Sequence, residues 1–293
     1  MRQERLPTWK LRLAWGEGVL QIKKITGALG AEVHGVDLST ALAAGIVAEI
    51  RAALLEHLVI FFRDQHLTVA QFLAFARTLG KPIEYPLLKG LPEYPDVIEV
   101  SKLEPERANF GGVWHTDTAY LEYPPMGSML LAREVPPAGG DTLFANQYLA
   151  YETLSSGLRR MLEGLVAVNS SAKADATRTR EDLVKKDGRE DARKEYLAEH
   201  PAVRTHPETG RKALYVNVAH TVGFKDMTEE ESAPLLNYLF RHQVQPELTC
   251  RFQWQVGSLA FWDNRCAQHN AVNDYHGHRR VMHRITLAGD KPR

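Results

Sequence analysis

The sequence contains little cysteine and no excess of either charge. Its 293 residues include two cysteines, Cys250 and Cys266, which are too few for a disulfide framework, so we expect reduced thiols and a cytoplasmic protein. Lys and Arg together number 36, as do Asp and Glu, and the formal net charge is zero. Because general nucleic-acid binders carry a basic excess, the sequence predicts no nucleic-acid partner.

Long apolar runs are also absent. No run approaches the ~18 apolar residues that a membrane-spanning helix needs, and the stretch from Met1 to Pro7 lacks the apolar core of a signal peptide. The sequence therefore predicts no membrane partner. What is present, 44% hydrophobic and 25% charged residues, is typical of a soluble globular protein with a sizeable core, and we expect a homo-oligomer.

Short apolar segments separated by Gly- and Pro-rich turns dominate the chain, with a few helical patterns between them. This arrangement predicts a mainly β fold with flanking helices, built on a double-stranded β-helix (jelly roll) core. Because no repeat or linker divides the chain, we predict an N-terminal arm at 1–18 and a single domain at 19–293. The highly charged segment 172–200 is interpreted either as a solvated surface segment or as a lid over the functional site.

Local patterns predict the main helices and strands. The spacing of apolar side chains predicts helices over about 41–57, 68–80 and 227–242. Ser39 or Thr40, Thr68 and Thr228 are the expected N-caps, because their side chains accept hydrogen bonds from the first backbone N–H groups of a helix. Apolar or alternating runs predict strands over 58–62, 249–255, 258–263 and 279–288. The glycine-rich stretch 27–39 is interpreted as a turn-rich connection.

The stretch Trp114-His115-Thr116-Asp117 is the strongest chemical signal. His115 and Asp117 are two residues apart, so in an extended backbone both side chains leave the same face. One imidazole and one carboxylate provide two ligands of a facial metal triad, and His269 is the best candidate for the third. Two histidines and one carboxylate leave coordination positions open, which suits an Fe(II) that binds a cosubstrate and O2 together.

A second pair of histidines is the alternative metal site. His276 and His278 flank one glycine in a polar loop. No carboxylate accompanies them at a matching spacing, so this pair is the weaker metal candidate.

Four motifs follow one another along the chain. They are Trp-His-Thr-Asp at 114–117, Gly-Gly-Asp-Thr at 139–142, Trp-Asp-Asn-Arg-x-x-x-His at 262–269 and Arg-Val-Met-His-Arg at 280–284. In identity and order they resemble the taurine dioxygenase family of Fe(II)- and 2-oxoglutarate-dependent dioxygenases, which includes alkylsulfatases and phenoxyalkanoate dioxygenases. The resemblance extends from about Val19 to Pro292. It implies a jelly roll that uses Fe(II), 2-oxoglutarate and O2, with His115, Asp117 and His269 as the metal ligands.

The same resemblance implies a site for 2-oxoglutarate. It places the anchor of the distal carboxylate at Arg284 and a hydroxyl partner of that carboxylate at Thr142. Arg280 shares a strand face with Arg284, since the two are four residues apart, and is a weaker second contact. Guanidinium suits this role because it can donate two hydrogen bonds to one carboxylate.

The implied reaction converts 2-oxoglutarate and O2 to succinate and CO2 while a C–H bond of a second substrate is hydroxylated. A product that bears a heteroatom on the hydroxylated carbon then fragments. We expect that substrate to be a small organic anion of the aryloxyalkanoate or alkyl sulfonate or sulfate type. The alternatives are a taurine dioxygenase proper and a non-catalytic, metal-binding jelly-roll protein, and the pairing of an Arg with a Thr at the cosubstrate site counts against the latter.

Candidate substrate contacts come from stretches that are more polar in taurine-specific members. Here these stretches contribute Tyr85, Leu87, Leu88 and Val113. The ammonium group of taurine would lack polar partners among such side chains, and desolvating it unpaired is unfavourable. His220 follows a predicted strand that can line the pocket and is a further candidate contact.

Overall fold

The computed structural model describes residues 20–173 and 195–293. The predicted N-terminal arm lies outside the described residues, as do residues 174–194 of the candidate lid. In chain order the helices and strands are β1 Gln21–Lys24, β2 Ala31–His34, α1 Ala44–His57, β3 Val59–Phe62, α2 Val69–Leu79, β4 Pro82–Ile83, β5 Val97–Lys102, β6 Gly127–Glu134, β7 Thr142–Asn146, α3 Gln147–Glu152, α4 Ser156–Leu162, β8 Val166–Ser170, β9 Leu197–Pro201, β10 Val203–Thr205, β11 Lys212–Leu214, β12 Thr221–Phe224, α5 Glu229–His242, β13 Thr249–Phe252, β14 Leu259–Asp263, β15 Ala267–Ala271 and β16 Arg280–Leu287. Strand β9 overlaps the last residues of the segment 172–200.

Two sheets provide the framework of the site. Within the described residues the larger sheet has eight strands, in the order β1-β2-β3-β14-β6-β16-β4 with β5 paired to β16, and the smaller sheet is β13-β7-β15. Two further small groups, β12-β8-β9 and β10-β11, lie outside these sheets. The prediction of a mainly β, double-sheet fold with flanking helices is confirmed.

Strand β3 shows how the larger sheet is buried on both faces. All four of its residues are buried, as the apolar run predicted, and successive side chains alternate between the faces. Ile60 and Phe62 pack into the cluster that contains residues of α1 and α2. Val59 and Phe61 pack into the cluster shared with the smaller sheet, where Phe61 stacks on Phe252 with ring centroids 3.9 Å apart.

Side-chain caps begin two helices as predicted. Thr68 accepts the backbone N–H of Gln71 at the start of α2, and Thr228 accepts that of Glu231 at the start of α5, each within a capping box. No helix in the described part of the chain combines the length and the hydropathy that a bilayer crossing needs.

Helix α1 begins later than the sequence predicted. Its N-cap is Ala43, which makes no side-chain capping bond, so the prediction of Ser39 or Thr40 as the cap is wrong. Both residues are instead bound to Asp37: the Ser39 N–H donates to Oδ1 at 2.9 Å, and the Thr40 hydroxyl donates to the carbonyl oxygen at 3.0 Å. The two predicted capping residues therefore belong to a local turn that ends before the helix begins.

Three strands near the site were not predicted: β2, β7 and β15. The stretch 27–39 contains β2, which pairs with β1 and runs parallel to β3, so its interpretation as a plain connection is wrong. Strand β15 reads Ala-Gln-His-Asn-Ala, which has no apolar alternation. All five of its residues pair with β7, and this pairing outweighs the weak local preference.

Candidate metal centre

The backbones of His115 and His269 are joined by a short antiparallel bridge. The His115 N–H donates to the His269 carbonyl at 3.0 Å, and the His269 N–H donates to the His115 carbonyl at 2.9 Å. Residues that exchange both hydrogen bonds in this way carry their side chains on one face. The imidazole centroids are accordingly 4.1 Å apart, although the residues are far apart in sequence.

Asp117 completes the cluster from the same segment as His115. Its Oδ1 lies 3.5 Å from Nε2 of His115 and 3.7 Å from Nε2 of His269. All three side chains are buried, and their ligand atoms lie within 4.8 Å of one another. The structure therefore brings together the three residues that the sequence predicted as metal ligands.

The protonation states of these residues suit a metal ion. Nδ1 of His115 donates to the Val113 carbonyl at 2.7 Å, which leaves the Nε2 lone pair directed at the cluster. Burial lowers the pKa of His269 well below its usual value. Burial alone would raise the pKa of Asp117, but the Arg284 guanidinium beside it lowers the pKa well below its usual range. Neutral imidazole and ionised carboxylate are the forms that bind a metal.

The second oxygen of Asp117 is held by a chain of hydrogen bonds. Asp117 Oδ2 accepts from the Ser128 hydroxyl at 2.6 Å and pairs with Nη2 of Arg284 at 2.7 Å. Ser128 Oγ accepts from Nδ2 of Asn264 at 3.1 Å, and Oδ1 of Asn264 accepts from Nε1 of Trp262 at 2.9 Å. The Trp-Asp-Asn-Arg motif therefore orients the carboxylate as well as carrying His269 on the strand that follows.

A pocket borders the cluster. His115 and His269 lie at its wall, together with the side chains of Thr142, Arg280 and Arg284. Apolar side chains complete the lining, among them Val100, Phe110, Leu130 and Trp262. Sequence reasoning did not single out the first three of these, because their apolar character is also that of ordinary core residues.

Gly111 is required where the pocket approaches His115. Its φ of +79° lies in the left-handed region, and a Cβ there would lie 3.1 Å from Cε1 of His115. Glycine meets both conditions because it has no side chain.

The two arginines of the last strand have different surroundings. Arg280 is buried, its Nε and Nη2 have no hydrogen-bond partner among the described residues, and its guanidinium carbon lies 5.6 Å from the Trp254 ring centroid. Nε1 of Trp254 donates to Thr142 Oγ1 at 2.9 Å, which leaves the Thr142 hydroxyl hydrogen to donate elsewhere. Arg284 lies instead beside Asp117. Thr142 lines the same pocket as both arginines, and Trp254 contacts Thr142 and Arg280.

None of the five predicted substrate contacts is among the residues that line this pocket. The Tyr85 ring centroid is 5.1 Å from the guanidinium carbon of Arg284, and the His220 ring is 6.2 Å from that of His115. Leu88 is buried in the core between the sheets with Leu87 packed against it, and Val113 is 40% exposed. Tyr85 and His220 are thus next to residues of the metal centre, and the two leucines form part of the supporting core.

A second cluster, His206, Asp263 and Cys266, also has metal-binding atoms close together. Nδ1 of His206 accepts backbone N–H groups, so its proton is on Nε2, which donates to Asp263 Oδ2 at 3.1 Å. Arg265 donates to both oxygens of the same carboxylate, at 2.8 and 2.6 Å. This cluster is a hydrogen-bonded ion-pair network. The alternative pair His276 and His278 is exposed and is not part of either cluster.

Fold and site together define a class of protein. A double-sheet β fold with a buried pair of histidines and one carboxylate, next to a pocket with two buried arginines, is the arrangement of a non-haem iron oxygenase. Residues 21–286 match the family model described as "Taurine catabolism dioxygenase TauD, TfdA family". The chain belongs to this family.

Relatives of known activity cover most of the chain. The alkylsulfatase of Acinetobacter baylyi is 39% identical over 279 residues, which are 92% of this chain and 86% of the relative. The alpha-ketoglutarate-dependent sulfate ester dioxygenase of Pseudomonas putida is 36% identical over 279 residues, or 93% of this chain and 91% of the relative. The crystal structure of a taurine dioxygenase from Burkholderia xenovorans has a TM-score of 0.79 and 38% identity, covering 93% of this chain and 90% of that chain.

The predicted reaction class is confirmed. The protein is a dioxygenase that depends on 2-oxoglutarate (alpha-ketoglutarate), Fe(II) and O2, and its fold is the jelly roll of this family. The non-catalytic alternative is therefore set aside. The donor set of His115, Asp117 and His269 fits Fe(II), since two neutral imidazoles and one carboxylate leave sites for the cosubstrate and O2.

Proposed function

We propose that this enzyme oxidises small organic anions with an apolar body, and that alkyl sulfate esters are its preferred class. The observation that carries the proposal is the composition of the pocket. Among the described residues that line it, two are arginines, none carries a carboxylate, and Val100, Phe110 and Leu130 are apolar. An anionic head with an apolar chain suits such a lining, whereas the ammonium of taurine would face cations and apolar groups.

Three residues hold the metal in this proposal. His115, Asp117 and His269 bind Fe(II), which together with 2-oxoglutarate and O2 supplies the hydroxylation of an unactivated C–H bond. The chain itself provides the orientation. The backbone bridge sets the two imidazoles, and Ser128 and Arg284 fix the carboxylate by hydrogen bonds to its second oxygen.

Arg280 and Thr142 bind the distal carboxylate of 2-oxoglutarate. Two guanidinium nitrogens of Arg280 have no hydrogen-bond partner among the described residues although the side chain is buried, and buried donors without an acceptor are unfavourable. A carboxylate can accept both hydrogen bonds and also that of the Thr142 hydroxyl. We therefore favour Arg280 as the main anchor in place of Arg284.

Arg284 is then the candidate partner for the anionic head of the prime substrate. Its Nη2 binds Asp117, while its Nε has no hydrogen-bond partner among the described residues. It lies against Tyr85, in a stretch that was predicted to contact substrate. The neighbouring Arg279 is exposed and pairs instead with Glu134, with Nε 3.6 Å from Oε2.

Hydroxylation of an alkyl sulfate at the carbon that bears the ester oxygen explains how such a substrate is cleaved. One oxygen atom of O2 enters the C–H bond and the other enters succinate, with release of CO2. The resulting hydroxy-sulfate is hemiacetal-like and collapses to an aldehyde and sulfate. The protein needs no hydrolytic nucleophile for this outcome.

Oxygen uptake coupled to succinate formation tests the proposal. The panel is hexyl sulfate, hexanesulfonate, both enantiomers of a 2-aryloxypropionate, an aryloxyacetate and taurine. We expect hexyl sulfate to exceed taurine in kcat/KM by at least about tenfold, the scale of a mismatched pocket. Taurine as the best substrate would contradict the argument from the pocket. If the aryloxy acids are the best substrates, the substrate is still an anion with an apolar body, but its head group is a carboxylate instead of a sulfate.

A further inference from the structure

A lysine faces Arg280 across two neighbouring strands. Lys102 ends β5 and is the direct partner of Arg280 in the pairing of β5 with β16. Residues directly opposite each other carry their side chains on the same face. Val100, two residues earlier on the same face, lines the pocket together with Arg280. Lys102 therefore belongs to the pocket side of the sheet.

The ammonium group of Lys102 is buried without an acceptor. The residue is 2% exposed, and Nζ has no hydrogen-bond partner among the described residues. It lies 4.1 Å from the ring centroid of Tyr275, and a cation–π contact of this kind provides part of the missing stabilisation. An ammonium group has three donors, so it can keep the ring contact and still donate to an anion.

Two acidic residues interact electrostatically with Lys102 and Arg280, but both bind other groups. The charge of Glu106 favours the charged form of Lys102, but the Glu106 carboxylate accepts the backbone N–H of Leu103 at 2.6 Å. The charge of Asp141 favours the charged form of Arg280, but the Asp141 carboxylate accepts a hydrogen bond from Nε of Arg251 at 2.5 Å. Lys102 and Arg280 thus bring buried donors without partners to two paired strands, and an anion could accept from both.

We propose that Lys102 is a second cation for the anion that Arg280 binds, the distal carboxylate of 2-oxoglutarate. The inference rests on the assignment of Arg280 in the proposed function. Arg280 supplies a planar pair of donors and Lys102 a point charge. Burial lowers the pKa of Lys102, and an incoming carboxylate stabilises its charged form. A bound carboxylate thereby gives the buried donors of both side chains an acceptor.

Binding measured without turnover tests this role. Mn(II)-loaded wild type, Lys102→Met and the control Lys81→Met, whose side chain is exposed, are titrated calorimetrically with 2-oxoglutarate and with 2-oxovalerate. The second ligand has a methyl group in place of the distal carboxylate. We expect Lys102→Met to raise the Kd for 2-oxoglutarate about tenfold, which corresponds to the loss of one charge-assisted hydrogen bond. The Kd for 2-oxovalerate should change by less than about twofold. Lys81→Met should change neither.

The outcomes separate this inference from the proposed function. An equal loss for both ligands, or no loss for either, would overturn the role of Lys102, since a purely structural lysine does not discriminate by the distal carboxylate. If Lys102→Met does not fold, Lys102→Arg and Lys102→Gln provide the same test. Lys102→Arg keeps the charge and should bind 2-oxoglutarate more tightly than Lys102→Gln. Arg280→Ala, titrated in the same way, tests the site assignment itself: an unchanged Kd for 2-oxoglutarate refutes that assignment. A raised Kd in Arg280→Ala together with an unchanged Lys102→Met refutes the inference alone.

Discussion

Ser128 donates a hydrogen bond of 2.6 Å to Oδ2 of Asp117, while Oδ1 of the same carboxylate faces the two histidines. Because Ser128 Oγ accepts from Asn264 at 3.1 Å, its own hydroxyl hydrogen is directed at Asp117. The orientation of this candidate metal ligand is therefore set by a residue of β6 and by the turn between β14 and β15. Partners of this kind fix a ligand in place and tune its affinity for the metal.

Ser128→Ala should weaken metal binding while the protein remains folded. Loss of such an outer partner typically lowers metal affinity about 10- to 100-fold, and it also leaves the Asn264 amide without its acceptor. Competition titration with a chelator measures the affinity for Mn(II) or Fe(II), and thermal unfolding checks the fold. Ser128→Thr keeps the hydroxyl and should restore most of the affinity. An Ala variant with wild-type metal affinity would show that the carboxylate needs no such support.

The three ligand variants should differ in stability although all of them lose activity. His115→Ala, Asp117→Ala and His269→Ala should abolish succinate formation and the visible absorption band of the anaerobic complex with Fe(II) and 2-oxoglutarate. Asp117→Ala also removes the partner of Arg284, and breaking a buried ion pair costs about 3–5 kcal/mol. We therefore expect it to have the lowest unfolding midpoint of the three. A His269→Ala enzyme that keeps the band would mean that the third ligand is another residue.

The two arginines of β16 should have separable effects. Arg280→Ala should raise the KM for 2-oxoglutarate about 10- to 100-fold, the equivalent of ~1.5–3 kcal/mol for a charge-assisted contact. Its effect on the KM for the prime substrate should be much smaller. Arg284→Ala should act mainly on the prime substrate and on metal affinity through Asp117. The opposite pattern would support the sequence-based preference for Arg284 as the cosubstrate anchor.

His283 should make the protein less stable in mild acid. Nε of Arg133 donates to Nδ1 of His283 at 3.1 Å, and burial, followed by the charge of Arg133, lowers the pKa of His283 from 6.5 to about 4. Between these values the unfolded chain binds a proton that the folded chain does not, so stability falls as the pH decreases from 6.5 to 4. The loss is at most about 2 kcal/mol after allowance for partial exposure.

Urea unfolding at pH 7 and pH 5 measures this contribution. Carboxylates elsewhere also titrate in acid, so the informative quantity is the difference between wild type and His283→Gln. The variant should lose less stability than the wild type over this interval. Equal losses in the two proteins would show that His283 titrates normally in the folded state.

Much of this protein follows from local patterns in its sequence. The run 58–62 predicted β3 because a strand buried on both faces is apolar at every position, and Thr68 and Thr228 predicted helix starts because capping depends on a few neighbouring residues. The motifs around His115 and His269 indicated the metal site and the family, since the chemistry of a facial triad restricts its ligand types.

Only the tertiary structure decided what surrounds each of these residues. Arg280 and Arg284 are the same residue type on one strand face, and no local pattern distinguishes them. They differ because Trp254 lies near the first and Asp117 lies beside the second. Strand β15, which carries His269, has little strand propensity and forms by pairing with β7. Lys102 resembles an ordinary strand-end lysine in the sequence. Its burial opposite Arg280 is a product of sheet pairing between residues distant in the chain, and such pairing leaves no local trace in composition or period.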